Sequence, residues 1–154
     1  MTKVKKVQDN TFSSLGLQKE ILQAIEQMGY KEMTEIQRKA LPVLLSGGEV
    51  VAKAPTGTGK TCAFGIPIVQ ETDPEGKAVT SLVMAPTREL ALQIGDDLRA
   101  LAAFKPGIKV VTVYGGDPID RQVKALKNNP QILVATPGRL IDLFKHRHIR
   151  LDTV

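Results

Sequence analysis

From residue 49 onward, short apolar runs alternate with segments of helical periodicity in this 154-residue chain. The runs are rich in Val, Ile and Leu and predict β-strands, and the segments between them predict helices. Strands and helices that alternate in this way favour an α/β fold, with a parallel sheet covered by helices on both faces. The predicted strands are Glu49–Lys53, Ser81–Ala85, Ile108–Tyr114 and Gln131–Ala135, and the predicted helices are Lys60–Gln70, Arg88–Leu101, Ile119–Lys127 and Leu140–Lys145.

Two more helices are predicted before the first of these strands. Leu15–Met28 places apolar side chains at helical spacing, and Gly29 is expected to end that helix. Thr34 and Gln37 have the spacing of a capping box, in which the two side chains satisfy free backbone groups at a helix start. We therefore predict a second helix from Thr34 that ends at residues 46–48.

Composition and charge exclude few classes of function. The length suits one domain, and the formal charge of +5 favours a polyanionic partner weakly. Cys62 is the only cysteine, which excludes an internal disulfide and a cysteine metal cluster. No apolar run approaches the roughly 20 residues of a membrane span, and Met1–Lys6 lacks the apolar core of a signal peptide. A cytoplasmic protein without a membrane partner is therefore expected.

Residues 54–61 read Ala-Pro-Thr-Gly-Thr-Gly-Lys-Thr and join a predicted strand to a predicted helix. Glycines in this context let backbone amides surround a phosphate, and the helix adds its positive end. Lys60 is expected to reach the β- and γ-phosphates, and the Thr61 hydroxyl to bind Mg²⁺. Ala54 departs from the general pattern, which begins with Gly. The predicted nucleotide-binding residues are Ala54, Pro55, Thr56, Gly57, Thr58, Gly59, Lys60 and Thr61.

This loop leaves kinase, GTPase and helicase functions open, and a glycine-rich turn that binds nothing is the alternative. Further proline, glycine and polar residues follow the other predicted strands, where ligands of parallel sheets collect. Each one also has a structural explanation as a helix cap, a surface arginine or a loop glycine, but their shared position favours a common site. They are Pro86, Thr87, Arg88, Gly115, Gly116, Thr136, Pro137, Gly138 and Arg139.

Taken with the phosphate loop, residues 29–37, 86–91, 115–116 and 136–139 resemble, in order and spacing, the first motifs of the DEAD-box RNA helicases. The resemblance covers nearly the whole chain. It implies that residues 1–154 form part of a RecA-like phosphate-loop NTPase domain, with a Q-motif region at 10–38. It also implies that the domain is incomplete at its C-terminus, because the Asp-Glu-Ala-Asp strand would follow Val154, and that a second helicase domain is absent.

The resemblance also implies roles for individual residues. Gln37 would recognise the adenine edge and Phe12 would stack on the base, although a capping box and a staple onto the first helix are the alternatives from the residues themselves. Lys60 and Thr61 would serve catalysis with ATP and Mg²⁺. The residues at the other strand ends would hold the RNA sugar-phosphate backbone without reading its sequence.

The implied activity of the parent protein is RNA-stimulated ATP hydrolysis coupled to local unwinding of RNA duplexes. The segment alone is expected to be inactive and to bind nucleotide or RNA weakly. Met33 and Glu35 replace prolines that are usual in the family, so a less rigid adenine pocket is expected. A small-molecule phosphotransferase and a non-catalytic RNA-binding module remain the rival functions.

Three other features are interpreted as structural. His146 and His148 are expected to lie on different faces of a solvated basic helix end and to bind no metal. Cys62 is expected to be a small buried side chain, and Asp117 with Pro118 is expected to cap a helix.

Overall fold

Three short strands pair in parallel in the order β1-β3-β2, with β3 at the centre of the sheet. The structure is a computed structural model that describes residues 9–154, so the predicted absence of a signal peptide at residues 1–6 lies outside the described residues. The strands are β1 (Ser81–Met84), β2 (Val110–Val113) and β3 (Ile132–Ala135). The helices are α1 (Lys19–Gln27), α2 (Glu35–Leu45), α3 (Lys60–Glu71), α4 (Arg88–Leu101), α5 (Ile119–Leu126) and α6 (Pro137–Lys145), preceded by a 3₁₀ turn at Phe12–Leu15.

The two faces of the sheet carry separate hydrophobic clusters. Successive side chains of a strand point to opposite faces, so each strand contributes to both clusters. On one face, Val110, Ile132 and Val134 pack with apolar side chains of α1, α3 and α4. On the other, Val113 and Leu133 pack with side chains of α5 and α6. All four residues of β3 are fully buried, as expected for a central strand with helices on both faces. The predicted α/β fold is therefore confirmed.

The predicted strand Glu49–Lys53 is wrong. This segment has no regular secondary structure, and Val51 is fully exposed with a relative exposure of 105%. A strand is stabilised by pairing with a neighbour, and among the described residues no strand pairs with this segment. The segment has the apolar composition of a strand, but in the described part of the chain it has no neighbouring strand with which to form hydrogen bonds.

Several boundaries also differ from the predictions by a few residues, and three of the differences have a local reason. The first helix begins at Lys19 instead of Leu15, because Gly16 adopts a left-handed conformation (φ 69°) that separates it from the 3₁₀ turn. Helix α5 has Pro118 as its N-cap instead of Asp117. Helix α6 begins at Pro137 instead of Leu140, since proline is well suited to the first position of a helix.

The prediction that two histidines lie on different faces of a helix end was wrong. Helix α6 ends at Lys145, and the chain then turns through Arg147, which has a positive φ of 58°. The rings of His146 and His148 therefore stack, with centroids 6.4 Å apart. Within residues 9–154, no group of three or more His, Cys, Asp or Glu side chains is arranged to hold a metal ion. None of the helices in that range has the length and apolarity of a bilayer span.

Candidate functional site

The loop at residues 54–61 lies at the surface and leads into α3. Gly57 (φ 81°) and Gly59 (φ 83°) both adopt left-handed conformations, which glycine reaches without the cost that a side chain imposes. A Cβ atom at Gly59 would collide with the side-chain amide of Gln37, whereas a Cβ at Gly57 would meet no atom within 4 Å. Glycine is therefore required at position 59 for space as well as for conformation.

Several backbone amides of this loop are available to bind an anion. Among residues 9–154, the amides of Gly57, Gly59, Lys60 and Thr61 donate to no backbone or side-chain acceptor. They lie at the N-terminus of a 12-residue helix, where the helix dipole adds positive potential. The hydroxyl of Thr58 donates to the Pro55 carbonyl at 2.6 Å and closes the turn before them. This arrangement can bind a phosphate group.

The two side chains predicted to act on the nucleotide open α3. Lys60 is exposed, and its ammonium Nζ donates to the Ala54 carbonyl, 2.7 Å away, across the loop. A phosphate oxygen would be a stronger, charge-assisted acceptor for the same ammonium. Thr61 is half-buried in the first turn of the helix. The structure therefore brings Lys60, Thr61 and the two glycines together as predicted.

Gln37 connects the start of α2 to this loop. Its side chain is fully buried, and its Oε1 accepts the Thr34 amide at 2.9 Å. The backbone amide of Gln37 donates to the Thr34 hydroxyl, so the predicted capping box is confirmed. Its Nε2 donates to the Gly59 carbonyl at 3.2 Å. Both polar ends of Gln37 are thus engaged beside the phosphate loop, and recognition of adenine by Gln37 stays a prediction.

The segment before α1 lies close to the start of α2. Phe12 is only 4% exposed and packs in the core, so stacking of its ring on a base also stays a prediction. Met33 is buried, and its amide donates to the Asn10 carbonyl at 2.8 Å. Proline has no amide hydrogen, so Met33 makes a backbone bond that the family's usual proline would not make. This bond joins the Phe12 segment to the start of α2.

The other predicted site residues follow the carboxyl ends of the three strands. Because β3 lies between β1 and β2, residues 136–139 lie between the other two groups. Thr87 caps α4 and its hydroxyl accepts the Leu90 amide at 3.2 Å, whereas Thr136 is the N-cap of α6 without a side-chain bond. Arg88 is exposed, and its guanidinium lies 4.8 Å from the centre of the Tyr114 ring. The three strand ends therefore form one surface, which we call the strand-end surface (residues 86–88, 114–117 and 136–139).

Arg139 is more enclosed than the sequence suggested. Its side chain is only 13% exposed, and its guanidinium donates twice to the Asp117 carbonyl, at 3.1 and 3.2 Å. It also donates to Oε1 of Gln122 at 3.0 Å. Gln122 was not identified from the sequence, because a glutamine on an amphipathic helix is normally a solvent-facing residue. No sequence signal marks its buried position.

Two clefts flank the phosphate loop. One, of 440 Å³, lies between the loop and the carboxyl end of β1, and Thr61, Cys62, Met84 and Asp97 line it. The other, of 630 Å³, lies between the start of α2 and residues 50–58. Burial, with a smaller contribution from Asp97, raises the pKa of the Cys62 thiol to about 11. Cys62 is buried in the core as predicted, and its thiol is a poor nucleophile at neutral pH.

Known proteins are similar in sequence to this chain. A DEAD-box ATP-dependent RNA helicase CshA from Geobacillus kaustophilus is 48% identical over 144 residues, which is 94% of this chain and 31% of that protein. The protein of the same name from Bacillus subtilis is 46% identical over 94% of this chain and 29% of its own length. The chain thus spans about a third of the length of the curated relatives that it matches.

Solved structures share the fold. A DEAD box protein from Methanococcus jannaschii superposes with a TM-score of 0.88 at 37% identity, over 94% of this chain and 39% of that one. A hypothetical ATP-dependent RNA helicase from Sulfolobus tokodaii superposes with a TM-score of 0.75 at 43% identity, over 84% of this chain and 37% of that one. These likenesses support the RecA-like fold. The family model of the DEAD/DEAH box helicases matches residues 34–154, from the cap of α2 through all three strand ends, and the chain belongs to that family.

Proposed function

We propose that this chain supplies the ATP-binding site and part of the RNA-binding surface of an ATP-dependent RNA helicase. In the longer protein, RNA-stimulated ATP hydrolysis would drive local separation of RNA duplexes. The observation that carries the proposal is the loop at residues 54–61, with two left-handed glycines, available amides and Lys60 at the start of a helix. The relatives named as ATP-dependent RNA helicases support the choice of nucleotide and substrate.

Within this site, the amides of Gly57 to Thr61 bind the phosphates, and Lys60 exchanges the Ala54 carbonyl for a phosphate oxygen. The Thr61 hydroxyl is an oxygen ligand of the kind that Mg²⁺ prefers, and Mg²⁺ bound to ATP would neutralise charge that develops on the phosphates. Gln37 and Phe12 supply the adenine pocket. Hydrolysis also needs groups that hold the metal and orient water, and this chain spans about a third of its relatives' length. We therefore expect it alone to bind ATP weakly without turnover.

RNA is proposed to lie on the strand-end surface. Arg88 and the residues around Gly115, Gly116 and Gly138 are exposed there, and the N-termini of α4 and α6 face the same edge of the sheet. Such groups contact phosphate and ribose, so binding would be independent of base sequence and sensitive to salt. A second helicase domain of the parent protein would close over the ATP. A cytoplasmic location is proposed because it fits an RNA substrate.

The test is phosphate release by the complete parent protein, measured with and without single-stranded RNA. We expect RNA to stimulate release and Lys60→Ala to lower the stimulated rate by about 100-fold or more. ATP turnover that is indifferent to RNA would favour a small-molecule phosphotransferase. RNA binding without any ATP turnover would favour a non-catalytic RNA-binding module.

A further inference from the structure

Gln122 is a buried polar side chain that none of the sequence motifs includes. It lies on α5 and is only 5% exposed. Its Oε1 accepts the Tyr114 amide at 3.2 Å, and its Nε2 donates to the Tyr114 carbonyl at 3.0 Å. One side chain therefore satisfies both backbone groups of the residue that ends the β2 side of the strand-end surface. Buried bonds of this kind hold a backbone segment in one conformation, since breaking them leaves polar groups without partners.

The same oxygen of Gln122 also accepts the Arg139 guanidinium at 3.0 Å. Arg139 in turn donates to the Asp117 carbonyl. Tyr114 precedes the pair Gly115–Gly116 and Asp117 follows it, so Gln122 and Arg139 together hold the residues on both sides of the two glycines. A Cβ at Gly115 would meet no atom within 4 Å, and Gly116 has a positive φ of 83°. Glycine loses the most conformational freedom on ordering, so the pair depends on its neighbours to hold one conformation.

Tyr114 extends the network to a second cation. Its ring lies beneath the guanidinium of Arg88, at 4.8 Å from ring centre to the carbon Cζ. An Arg above an aromatic face is attracted to it and is held in one orientation. Gln122 is thus connected to Arg139 directly and to Arg88 through Tyr114.

We propose that Gln122 is a positioning residue for the RNA backbone. Together with Arg139 it fixes the Gly115–Gly116 loop, and through Tyr114 it orients Arg88 toward phosphate, while making no contact with RNA itself. The inference rests on the proposed function, since it assigns the strand-end surface to RNA.

The test uses Gln122→Met, which has nearly the same volume and no charge change. The chain offers a matched control in Gln131, which is 2% exposed and lies just before β3, at the opposite end of the sheet. The Gln131 side chain likewise bonds to backbone, accepting the Lys109 amide at 2.8 Å and donating to the Gly76 carbonyl at 2.9 Å. Both variants lose buried hydrogen bonds, but only Gln122→Met loosens the strand-end surface.

The readout is the affinity of the 154-residue chain for a fluorescein-labelled single-stranded RNA, titrated at several salt concentrations at a temperature where circular dichroism shows every variant folded. For single strands, the slope of log affinity against log salt changes by about 0.7 for each phosphate contact. Because Gln122 is neutral, Gln122→Met removes no charge of its own, so a lower slope reports phosphate contacts that are lost elsewhere on the strand-end surface. We expect a lower slope and weaker binding in Gln122→Met, and the wild-type slope in Gln131→Met.

The cation that carries the effect is identified by repeating Gln122→Met in an Arg88→Ala background. The change in slope caused by Gln122→Met should be smaller there, since residues of one network are not additive. If Gln122→Met does not fold, Gln122→Asn and Gln131→Asn replace the pair, because both stay neutral and the shorter side chain at position 122 cannot make both bonds to Tyr114.

Failure of the positioning role can be distinguished from failure of the proposed function. A wild-type chain that binds RNA, with equal slopes in the Gln122 and Gln131 variants, overturns the positioning role and leaves the proposed function standing. A wild-type chain that binds no RNA even at low salt overturns the proposed RNA surface, and the positioning role falls with it.

Discussion

Gln37 and Gly59, which are 22 positions apart, are joined by a hydrogen bond of 3.2 Å from the side-chain nitrogen to the backbone carbonyl. The bond connects the first turn of α2 to the residue that caps α3. The Gln37 side chain is held in this position because its Oε1 accepts the Thr34 amide. The geometry of the phosphate loop therefore depends on a residue that lies outside the loop.

Gln37→Ala is expected to lower the free energy of unfolding by about 1–3 kcal/mol, because the Thr34 amide and the Gly59 carbonyl lose a buried partner. Urea unfolding followed by circular dichroism measures this change. Gln23→Ala, at an exposed position of α1, serves as the control and should change stability by less than about 0.5 kcal/mol. Equal effects of the two substitutions would contradict the role of Gln37 in holding the loop.

Gln37→Ala also tests the proposed adenine pocket. If Gln37 reads the base, the variant should lose affinity for ATP by a larger factor than affinity for GTP, measured with fluorescent analogues of both nucleotides. A purely structural Gln37 would lower both affinities by the same factor.

Gly59→Ala should be more damaging than Gly57→Ala. Both substitutions place a side chain in the left-handed region, which costs about 1–2 kcal/mol. At position 59 the new Cβ also collides with the Gln37 amide, whereas position 57 is open. Thermal unfolding should therefore rank wild type, Gly57→Ala and Gly59→Ala in order of falling stability. The reverse order of the two variants would contradict the close approach of Gln37 to the loop.

Two threonines that cap helices at the strand-end surface should differ in their contribution to stability. The Thr87 hydroxyl accepts the Leu90 amide, while the Thr136 side chain makes no capping bond. Loss of an N-cap bond typically costs about 1 kcal/mol, so Thr87→Ala should destabilise the protein by roughly that amount. Thr136→Ala is the control with a smaller expected change, and equivalent urea midpoints for the two variants would refute the assignment.

Stability should fall at high pH because of Cys62. Burial raises the pKa of its thiol from 9.0 to about 11 in the folded protein. The unfolded chain loses its thiol proton first, so the contribution is present below pH 9 and is lost as pH rises through about 11. The free energy of unfolding of wild type, minus that of Cys62→Ala, should therefore decrease between these values. A difference that is flat with pH would show that the thiol is not buried.

Local signals in the sequence were sufficient for several elements. Helix α4 occupies the predicted Arg88–Leu101, since a capping threonine and a regular apolar period define both of its ends. The phosphate loop was equally predictable, because the conformations it needs are supplied by glycine and its position follows from the next helix.

Features that depend on distant partners could not be predicted. The run at 49–53 has the composition of a strand, but whether it pairs is decided by other segments. Gln122 bonds to Tyr114, eight positions before it, and to Arg139, 17 positions after it. Arg139 was predicted to contact RNA, and its guanidinium donates to the Asp117 carbonyl and to Gln122 within the protein. Such tertiary contacts leave no local pattern in the sequence.

The most direct test of the account is a calorimetric titration of the 154-residue chain with ATP and Mg²⁺, run beside Lys60→Ala. Lys60 is exposed and bonds only to the loop itself, so the variant should keep the wild-type unfolding midpoint. We predict weak binding to the wild-type chain and none detectable to Lys60→Ala. Equal ATP affinity of the two folded proteins would contradict the central claim that residues 54–61 bind the phosphates.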